Sequence, residues 1–271
     1  MRFLDQICIV TGAGSGIGRA LSLALADEGA IVCASDINPD TIVETERLLA
    51  LKNAKAKGRL LDVTDENAVS GYVESIAKEH GRIDLIINNA GIAIAGEARD
   101  LEVEHWRRVM DVNLMGVIYG THAAYKIMAS QGAGHIVNIS SLSGLLPFPT
   151  NIPYGTSKHA VVGLSTGLRA EGERLGVKVS VVCPGFVDSN IYSSSEVINA
   201  SKEALTKDVP WSKVPADVAA KKILYGIEKN HEFIVFPGYA KNLWRLYRVS
   251  ANLIRSLGRR MISDFRKIRL D

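Results

Sequence analysis

The chain of 271 residues has little of what holds or anchors proteins by means other than a core. Its three cysteines, Cys8, Cys33 and Cys183, sit inside apolar β-like runs without C-x-x-C spacing. That argues against a disulfide or zinc framework and for buried thiols in a reducing compartment. Six histidines are scattered without ligand spacing, so no metal site is expected. No apolar run approaches the ~20 residues of a membrane span. The N-terminus enters a strand pattern at once, without a signal peptide, so a cytoplasmic protein is expected. No Pro- or Ser-rich linker divides the chain, and 47% hydrophobic content is enough for one large core. A net charge of +3 is too small to suggest a nucleic-acid partner.

What is present starts with a glycine loop. Residues 6–11 (QICIVT) read as a short buried parallel strand that flows into Gly12, Gly14, Gly16 and Gly18, after which the pattern turns helical. Strand, glycine loop and helix in that order put free backbone N–H groups and a helix N-terminus at one point, which is a pyrophosphate site. The spacing is T-G-x-x-x-G-x-G, not the usual G-x-G-x-x-G of dinucleotide loops, because Ile17 stands where the last glycine would fall. A second strand, residues 31–35, ends at Asp36. A carboxylate there accepts hydrogen bonds from the adenosine ribose and repels a 2′-phosphate, which favours NAD over NADP; the alternative is a turn or helix-capping aspartate.

Further strands are expected at 57–61, 84–87, 135–139, 178–182 and 232–236, with helices between them. Such alternation predicts a parallel sheet covered on both faces, a single-domain, doubly wound α/β fold of about seven strands. A helical stretch over about 103–130 carries Asn113 near its middle, where an Asn is unfavourable unless it faces solvent or has a role. The strand at 135–139 delivers Ser140, Ser141 and Ser143 to the carboxyl edge, where open α/β sheets bind ligands. If Pro153 opens a helix, Tyr154 and Lys158 share one of its faces. A phenol titrates near 10, and lowering it by roughly 3 pKa units to make a base takes about 4 kcal/mol. The Lys158 ammonium and a nicotinamide cation are placed to supply that stabilisation. Residues 186–211 lack periodicity, mix Ser with Ile191, Tyr192, Val197, Ile198, Leu205 and Trp211, and read as a mobile lid with an apolar underside.

The ordered set Thr11-Gly12-x-x-x-Gly16-x-Gly18, Asp62-Val63, Asn88-Asn89-Ala90-Gly91, Asn113, Ser141, Tyr154-x-x-x-Lys158 and Pro184-Gly185 resembles the short-chain dehydrogenases/reductases over about residues 1–238. The resemblance implies a Rossmann-type fold with Tyr154 as general acid/base. It implies that Lys158 lowers the Tyr154 pKa and holds the nicotinamide ribose, and that Ser141, thirteen residues before Tyr154, bonds the substrate oxygen. Asn113 would hold a water linking Lys158 to solvent. The implied cofactor set is Gly12, Ser15, Gly16, Ile17, Gly18, Asp36, Asp62, Val63, Asn89, Ala90, Gly91, Tyr154, Lys158, Pro184, Gly185, Val187 and Ser189. Ser189 stands where the family often has a threonine that bonds the carboxamide.

Members commonly stop soon after the last strand, whereas here residues 239–271 continue. Lys241, Arg245, Arg248, Arg255, Arg259, Arg260, Arg266, Lys267 and Arg269 face only Asp264 and Asp271, a net +7. Leu243, Trp244, Tyr247, Leu253, Ile254, Leu257, Met261, Phe265 and Ile268 recur at three- and four-residue steps between them. This predicts a basic amphipathic helical extension with a break at Gly258. Three readings stay open: packing on the body or a second subunit, peripheral docking on an anionic membrane surface, or an acidic partner.

The expected activity is interconversion of a secondary alcohol and a ketone with NAD(H). A mouth of Leu145, Leu146, Phe148, Pro149 and Ile152 favours a lipophilic substrate of steroid, retinoid or fatty-acyl type, unless these residues merely pack the loop. A homodimer or homotetramer is expected. The alternatives are an NADP-dependent carbonyl reductase and a non-catalytic dinucleotide-binding scaffold or sensor at a membrane, against which the Ser-Tyr-Lys set argues.

Overall fold

The computed structural model describes residues 1–189, 191–207 and 213–270. Trp211 and Asp271 lie outside the described residues, as do the side chains of Tyr192 and Leu253. The chain opens with β1 (Ile7–Thr11), α1 (Gly16–Asp27), β2 (Ile31–Asp36) and α2 (Pro39–Ala50). Asn38 starts α2 by accepting the amides of Asp40 and Thr41 at 3.0 and 3.2 Å, and Pro39 takes the first helical position, where a missing N–H costs nothing. β3 (Ala56–Leu60) and α3 (Glu66–His80) follow; Asp65 caps α3 through the Ala68 amide, and Gly81 ends it at φ 78°. Next come β4 (Leu85–Asn88), β5 (Ile94–Ala95), α4 (Val103–Met110) and α5 (Gly116–Gln131). The chain continues with β6 (Gly134–Ile139), α6 (Ile152–Gly172), β7 (Val177–Pro184), α7 (Ile191–Ser194), β8 (Glu196–Val197) and α8 (Lys202–Lys207). It closes with α9 (Ala216–Glu228), β9 (Phe233–Phe236), α10 (Gly238–Val249) and α11 (Asn252–Lys267).

Seven strands form one parallel sheet in the order β3-β2-β1-β4-β6-β7-β9, a Rossmann-like, doubly wound single domain as expected. Period-2 alternation divides each central strand between two cores. Cys8 and Val10 of β1, with Val32 and Ala34 of β2, meet α1 and α9 through Leu21, Leu25, Ile223 and Leu224. Ile7 and Ile9 face the other way, onto Val73 and Ile76 of α3 and Ala124 and Met128 of α5. Each fully buried aliphatic chain contributes about 1.5–3 kcal/mol, so truncating Ile9 to Ala in the central strand would cost about 2–5 kcal/mol.

Two expectations need correction and a third gains detail. The stretch over 103–130 is not a plain α-helix: a π-turn, Asp111–Met115, joins α4 to α5 and carries Asn113. Within 186–211, read as a mobile lid without periodicity, the described residues include the regular elements α7, β8 and α8, and β8 pairs with β5 in a small second sheet. The tail is broken at Ser250, whose extended backbone ends α10, and not at Gly258, which lies inside α11.

The tail packs on the body. Trp244 lies on Phe233 with ring centroids 5.0 Å apart, and Leu243, Tyr247 and Ala240 cover Leu142 and Leu146. Ile254 and Phe265 of α11 are buried, and Arg266 and Arg269 are ion-paired to Glu97 and Asp100. Among the described residues no helix is long and apolar enough to cross a membrane, and no group of three or more His, Cys, Asp or Glu is placed to hold a metal ion.

Candidate active site

The glycine loop is shaped by two close approaches. Gly12 has φ 63°, and a Cβ on it would fall 2.7 Å from the Ala90 backbone; a Cβ on Gly18 would fall 2.1 Å from the Gly12 carbonyl oxygen. The loop is pinned from the next strand. Asn89 donates from Nδ2 to the carbonyls of Thr11 (2.9 Å) and Gly12 (3.0 Å), while Thr11 Oγ1 accepts the amides of Asn89 and Ala90. Ser15 precedes α1 without a side-chain cap, so the first amides of α1 are left to a ligand. Arg19, not singled out from the sequence, braces the loop by donating to the carbonyls of Gly14 and Thr41 and to Thr45 Oγ1.

Asp36 ends β2 with its carboxylate turned to the loop, where Oδ2 accepts the Gly14 amide at 2.8 Å and Oδ1 the Asn38 amide at 3.0 Å. These bonds aim the carboxylate and leave other lone pairs for a ribose. Asp62 bonds the Thr64 amide and hydroxyl, and Val63 packs beneath it against Gly116.

These residues line one cleft of about 480 Å³ at the carboxyl edge of the sheet. Gly12, Ser15, Gly16, Ile17, Asp36, Asp62, Val63, Asn89, Ala90 and Gly91 bound one end, and Ser141, Tyr154, Lys158, Pro184, Gly185, Val187 and Ser189 the other. Ile37, Ile92, Val112 and Ser194 also line it and were not foreseen, and Ile191 of the expected lid joins them. Two predicted residues stand behind the wall: Gly18 under Gly12, and Asn113, fully buried behind Ile92. A narrow glycine cradle with free helix amides at one point and a carboxylate beyond it is the donor and acceptor set that a dinucleotide needs.

At the other end, Ser141 and Tyr154 line the cleft together, and Ser141 Oγ accepts the Ser143 amide at 3.1 Å. Ser140 is committed elsewhere, donating to the Lys158 carbonyl at 2.8 Å, which separates the two serines where sequence did not. Lys158 is 2% exposed; its Nζ donates to the Ile139 carbonyl at 2.8 Å and sits 5.5 Å from the Tyr154 ring centroid. Burial pulls its pKa down to about 8. Burial also raises the Tyr154 pKa, against the lowering effect of the nearby Ser141 hydroxyl. The protein's own groups thus leave the phenol above its ordinary range.

Asn113 spends its side-chain amide on Ile92 and on Ser157 Oγ, so a water beside Lys158 would find only a lone pair on its Oδ1. Tyr239, the first residue of the tail, accepts the Phe186 amide at 2.8 Å and fixes the backbone after Pro184 and Gly185. The expected apolar mouth is mostly elsewhere. Leu145 and Leu146 are buried packing residues. Phe148, Pro149 and Ile152 line a separate groove of about 750 Å³ with Ile254 and Ile262, and Gly155, Thr156 and His159 place it on the face of α6 turned away from Tyr154 and Lys158.

Fold and site define a doubly wound α/β domain with a cleft shaped for a dinucleotide at the carboxyl edge of its sheet. The sequence model of the short chain dehydrogenase family matches residues 6–197. "Putative oxidoreductase SadH" of Mycobacterium tuberculosis is 34% identical over 252 residues, covering 91% of each chain. "Probable oxidoreductase EphD" of the same organism is 36% identical over 267 residues, covering 95% of this chain and 45% of its own length, so the chain spans less than half of that relative. A short-chain dehydrogenase/reductase from Burkholderia phymatum in complex with NAD superposes with a TM-score of 0.85 at 27% identity, covering 93% of this chain and 96% of that one. Actinorhodin polyketide ketoreductase with NADPH superposes with a TM-score of 0.76 at 28% identity, covering 85% and 94%. The chain belongs to the short-chain dehydrogenase/reductase family.

Proposed function

We propose that residues 1–238 form an NAD(H)-dependent catalytic body that interconverts a lipophilic secondary alcohol and its ketone. The observation that carries this reading is that Ser141, Tyr154 and Lys158 stand together on the wall of the cleft that the glycine loop and Asp36 also line. A nicotinamide held at that end supplies hydride transfer to or from the substrate carbon. Ser141 orients the substrate oxygen, and Tyr154 exchanges a proton with it. The buried Lys158 ammonium, fixed by Ile139, favours the phenolate and faces the ribose. Asn113 acts through Ile92 and Ser157 by holding the 89–92 wall against α6. Asp36 supports NAD, since a 2′-phosphate would meet its carboxylate. Ile92, Val187 and Ile191 on the lining support an apolar substrate.

The test is a dehydrogenase assay over a panel of hydrophobic secondary alcohols with NAD and NADP side by side. Turnover with neither cofactor across the panel would sink the reading.

A second contact belongs to 239–271. Lys241, Arg245 and Arg248 lie on one exposed face of α10, none with a carboxylate partner among the described residues, beside Leu246 at 41% and Val249 at 82% exposure. Cations flanking exposed aliphatic residues suit peripheral docking on anionic lipid. Co-sedimentation with anionic vesicles at low and high salt tests it, and no binding at low salt removes it. We also read the enzyme as a homodimer or homotetramer, because the open outer face of α6 at Gly163 and Gly167 would let a second helix approach closely; sizing in solution checks this.

A further inference from the structure

We infer that the last residues of the chain are a latch that sets the substrate wall of the cleft, with Arg266 and Arg269 as its positioning residues. The latch itself rests on bonds in the structure; its effect on substrate rests on the function proposed above.

Ile191 and Ser194 line the cleft, so what fixes the segment after them fixes that wall. The segment is held from two sides. On one, β8 pairs with β5 and the Ile198 amide donates to the Ala95 carbonyl at 2.8 Å. On the other, the chain end lies antiparallel to it at Ala200 and Arg269: the Ser201 amide donates to the Ile268 carbonyl at 2.9 Å and the Leu270 amide to the Asn199 carbonyl at 3.0 Å.

The same chain end grips the loop that β5 runs into. Arg266 forks onto Glu97, Nε to Oε1 at 2.8 Å and Nη2 to Oε2 at 3.2 Å, and Arg269 Nη2 bonds Asp100 Oδ1 at 2.8 Å. Glu97 is only 7% exposed at its side chain, so it depends on these cations, with Arg99 as the third. Two-point guanidinium–carboxylate pairs fix direction as well as distance. Gly96 adds a bond to the Thr150 carbonyl, which ties in the loop between Ser141 and Tyr154. Residues 94–100 are thus a hub for the lid and the catalytic loop, and the hub is locked by residues 266–270. A lid whose pose depends on a few such contacts can open without disturbing the sheet.

Hydrogen exchange resolved to single amides, on the full chain, on a chain ending at Lys267, and on Arg269→Ala and Arg269→Lys, decides it. Ser201 loses its acceptor in the shortened chain whatever the role of the tail, so the reporter is Ile198, bonded to Ala95 and not to the tail. The expected result is exchange at Ile198 faster by about tenfold or more in the shortened chain and Arg269→Ala, partly restored in Arg269→Lys, with Val137 in β6 and NAD affinity unchanged. Unchanged protection at Ile198, or equal acceleration at Ile198 and Val137, overturns the latch. With 2-octanol as probe, KM should rise about tenfold in Arg269→Ala while kcat moves little, a split that simple loss of folded enzyme does not give; KM equal to wild type would show that the latch does not reach the substrate. If wild type leaves 2-octanol unchanged, the proposed substrate class fails, and the exchange result still decides the latch.

Discussion

Asn113 holds the peptide of Ile92 at both ends, accepting its amide at Oδ1 (2.8 Å) and donating from Nδ2 to its carbonyl (2.9 Å). The second Nδ2 hydrogen reaches Ser157 Oγ, which donates to the Tyr154 carbonyl at 2.7 Å. One side chain thus joins the cofactor wall to the catalytic helix. Asn113→Ala should leave both Ile92 groups without partners and cost about 1–3 kcal/mol, read as a lower unfolding midpoint. An unchanged midpoint would mean that Ile92 finds other partners.

The proton chemistry should show in the pH profile. Burial holds the Tyr154 phenol above its ordinary pKa, and oxidation needs its deprotonated form while reduction needs the protonated one. Oxidative kcat/KM should therefore climb from about pH 7 to 10 without a plateau, while reductive kcat/KM stays level until pH passes about 10 and only then falls. Tyr154→Phe should leave NAD affinity nearly unchanged and abolish turnover. A flat oxidative profile, or more than a few per cent of wild-type turnover in the phenylalanine variant, counts against Tyr154 as proton carrier.

Lys158 sets function against stability. Burial lowers its pKa from 10.5 to about 8, a difference worth roughly 3 kcal/mol. Because the folded value lies below the unfolded one, the penalty is fully present below about pH 8 and fades as pH rises towards 10.5. Lys158→Met loses turnover and the bond to Ile139, worth about 1–2 kcal/mol, so it should be more stable than wild type by about 1 kcal/mol at pH 7 and lose that advantage by about pH 10. Denaturant unfolding at the two pH values checks it; a less stable variant at pH 7 would mean that the ammonium is better compensated than its burial suggests.

What the sequence showed and what it hid follow from range. The strands, the glycine loop and the Tyr154–Lys158 pair are local patterns of period 2, of glycine spacing and of i,i+4, and all lie where expected. Asn113 was conspicuous as a mid-helix Asn, but the π-turn that turns it onto Ile92 has no sequence signature. Tyr239 meets Phe186 across 53 residues and Arg266 meets Glu97 across 169, and neither pairing leaves a periodic trace. The mouth was misplaced for a related reason: Ile152 and Tyr154 are neighbours in sequence but fall on opposite faces of α6. Leu145 and Leu146 met the packing alternative.

Cofactor choice turns on Asp36. Asp36→Ala should weaken NAD by about 1–3 kcal/mol and shift preference towards NADP. Asp36→Asn keeps an acceptor for only one of the Gly14 and Asn38 amides while removing the charge, so it should gain NADP affinity with less loss of loop order than Asp36→Ala. Fluorescence titration of both cofactors reads this. If wild type already prefers NADP, Asp36 serves only the loop.

The contacts of the tail with the body decide how far it can be cut back. A free basic end beyond Arg255 would make truncation after Ser250 harmless. Instead that cut removes buried Ile254 and Phe265, each worth about 1.5–3 kcal/mol, and leaves Glu97 and Asp100 without Arg266 and Arg269. The pairs hold both carboxyl pKa values down, so their stabilisation is present above the ordinary carboxylate range and lost as pH falls through the depressed values. Truncation after Ser250 should lower the unfolding midpoint at neutral pH, with a difference from wild type that narrows on acidification. Truncation after Gly238 should be worse, because it also releases Phe186 from Tyr239, bares Phe233 under Trp244 and uncovers Leu142 and Leu146 beside Ser141. Thermal unfolding and light scattering of the two shortened chains rank them. A chain ending at Ser250 that is as stable as wild type would mean that α11 adds nothing to the body, and that its ion pairs with 97–100 are surface contacts without consequence.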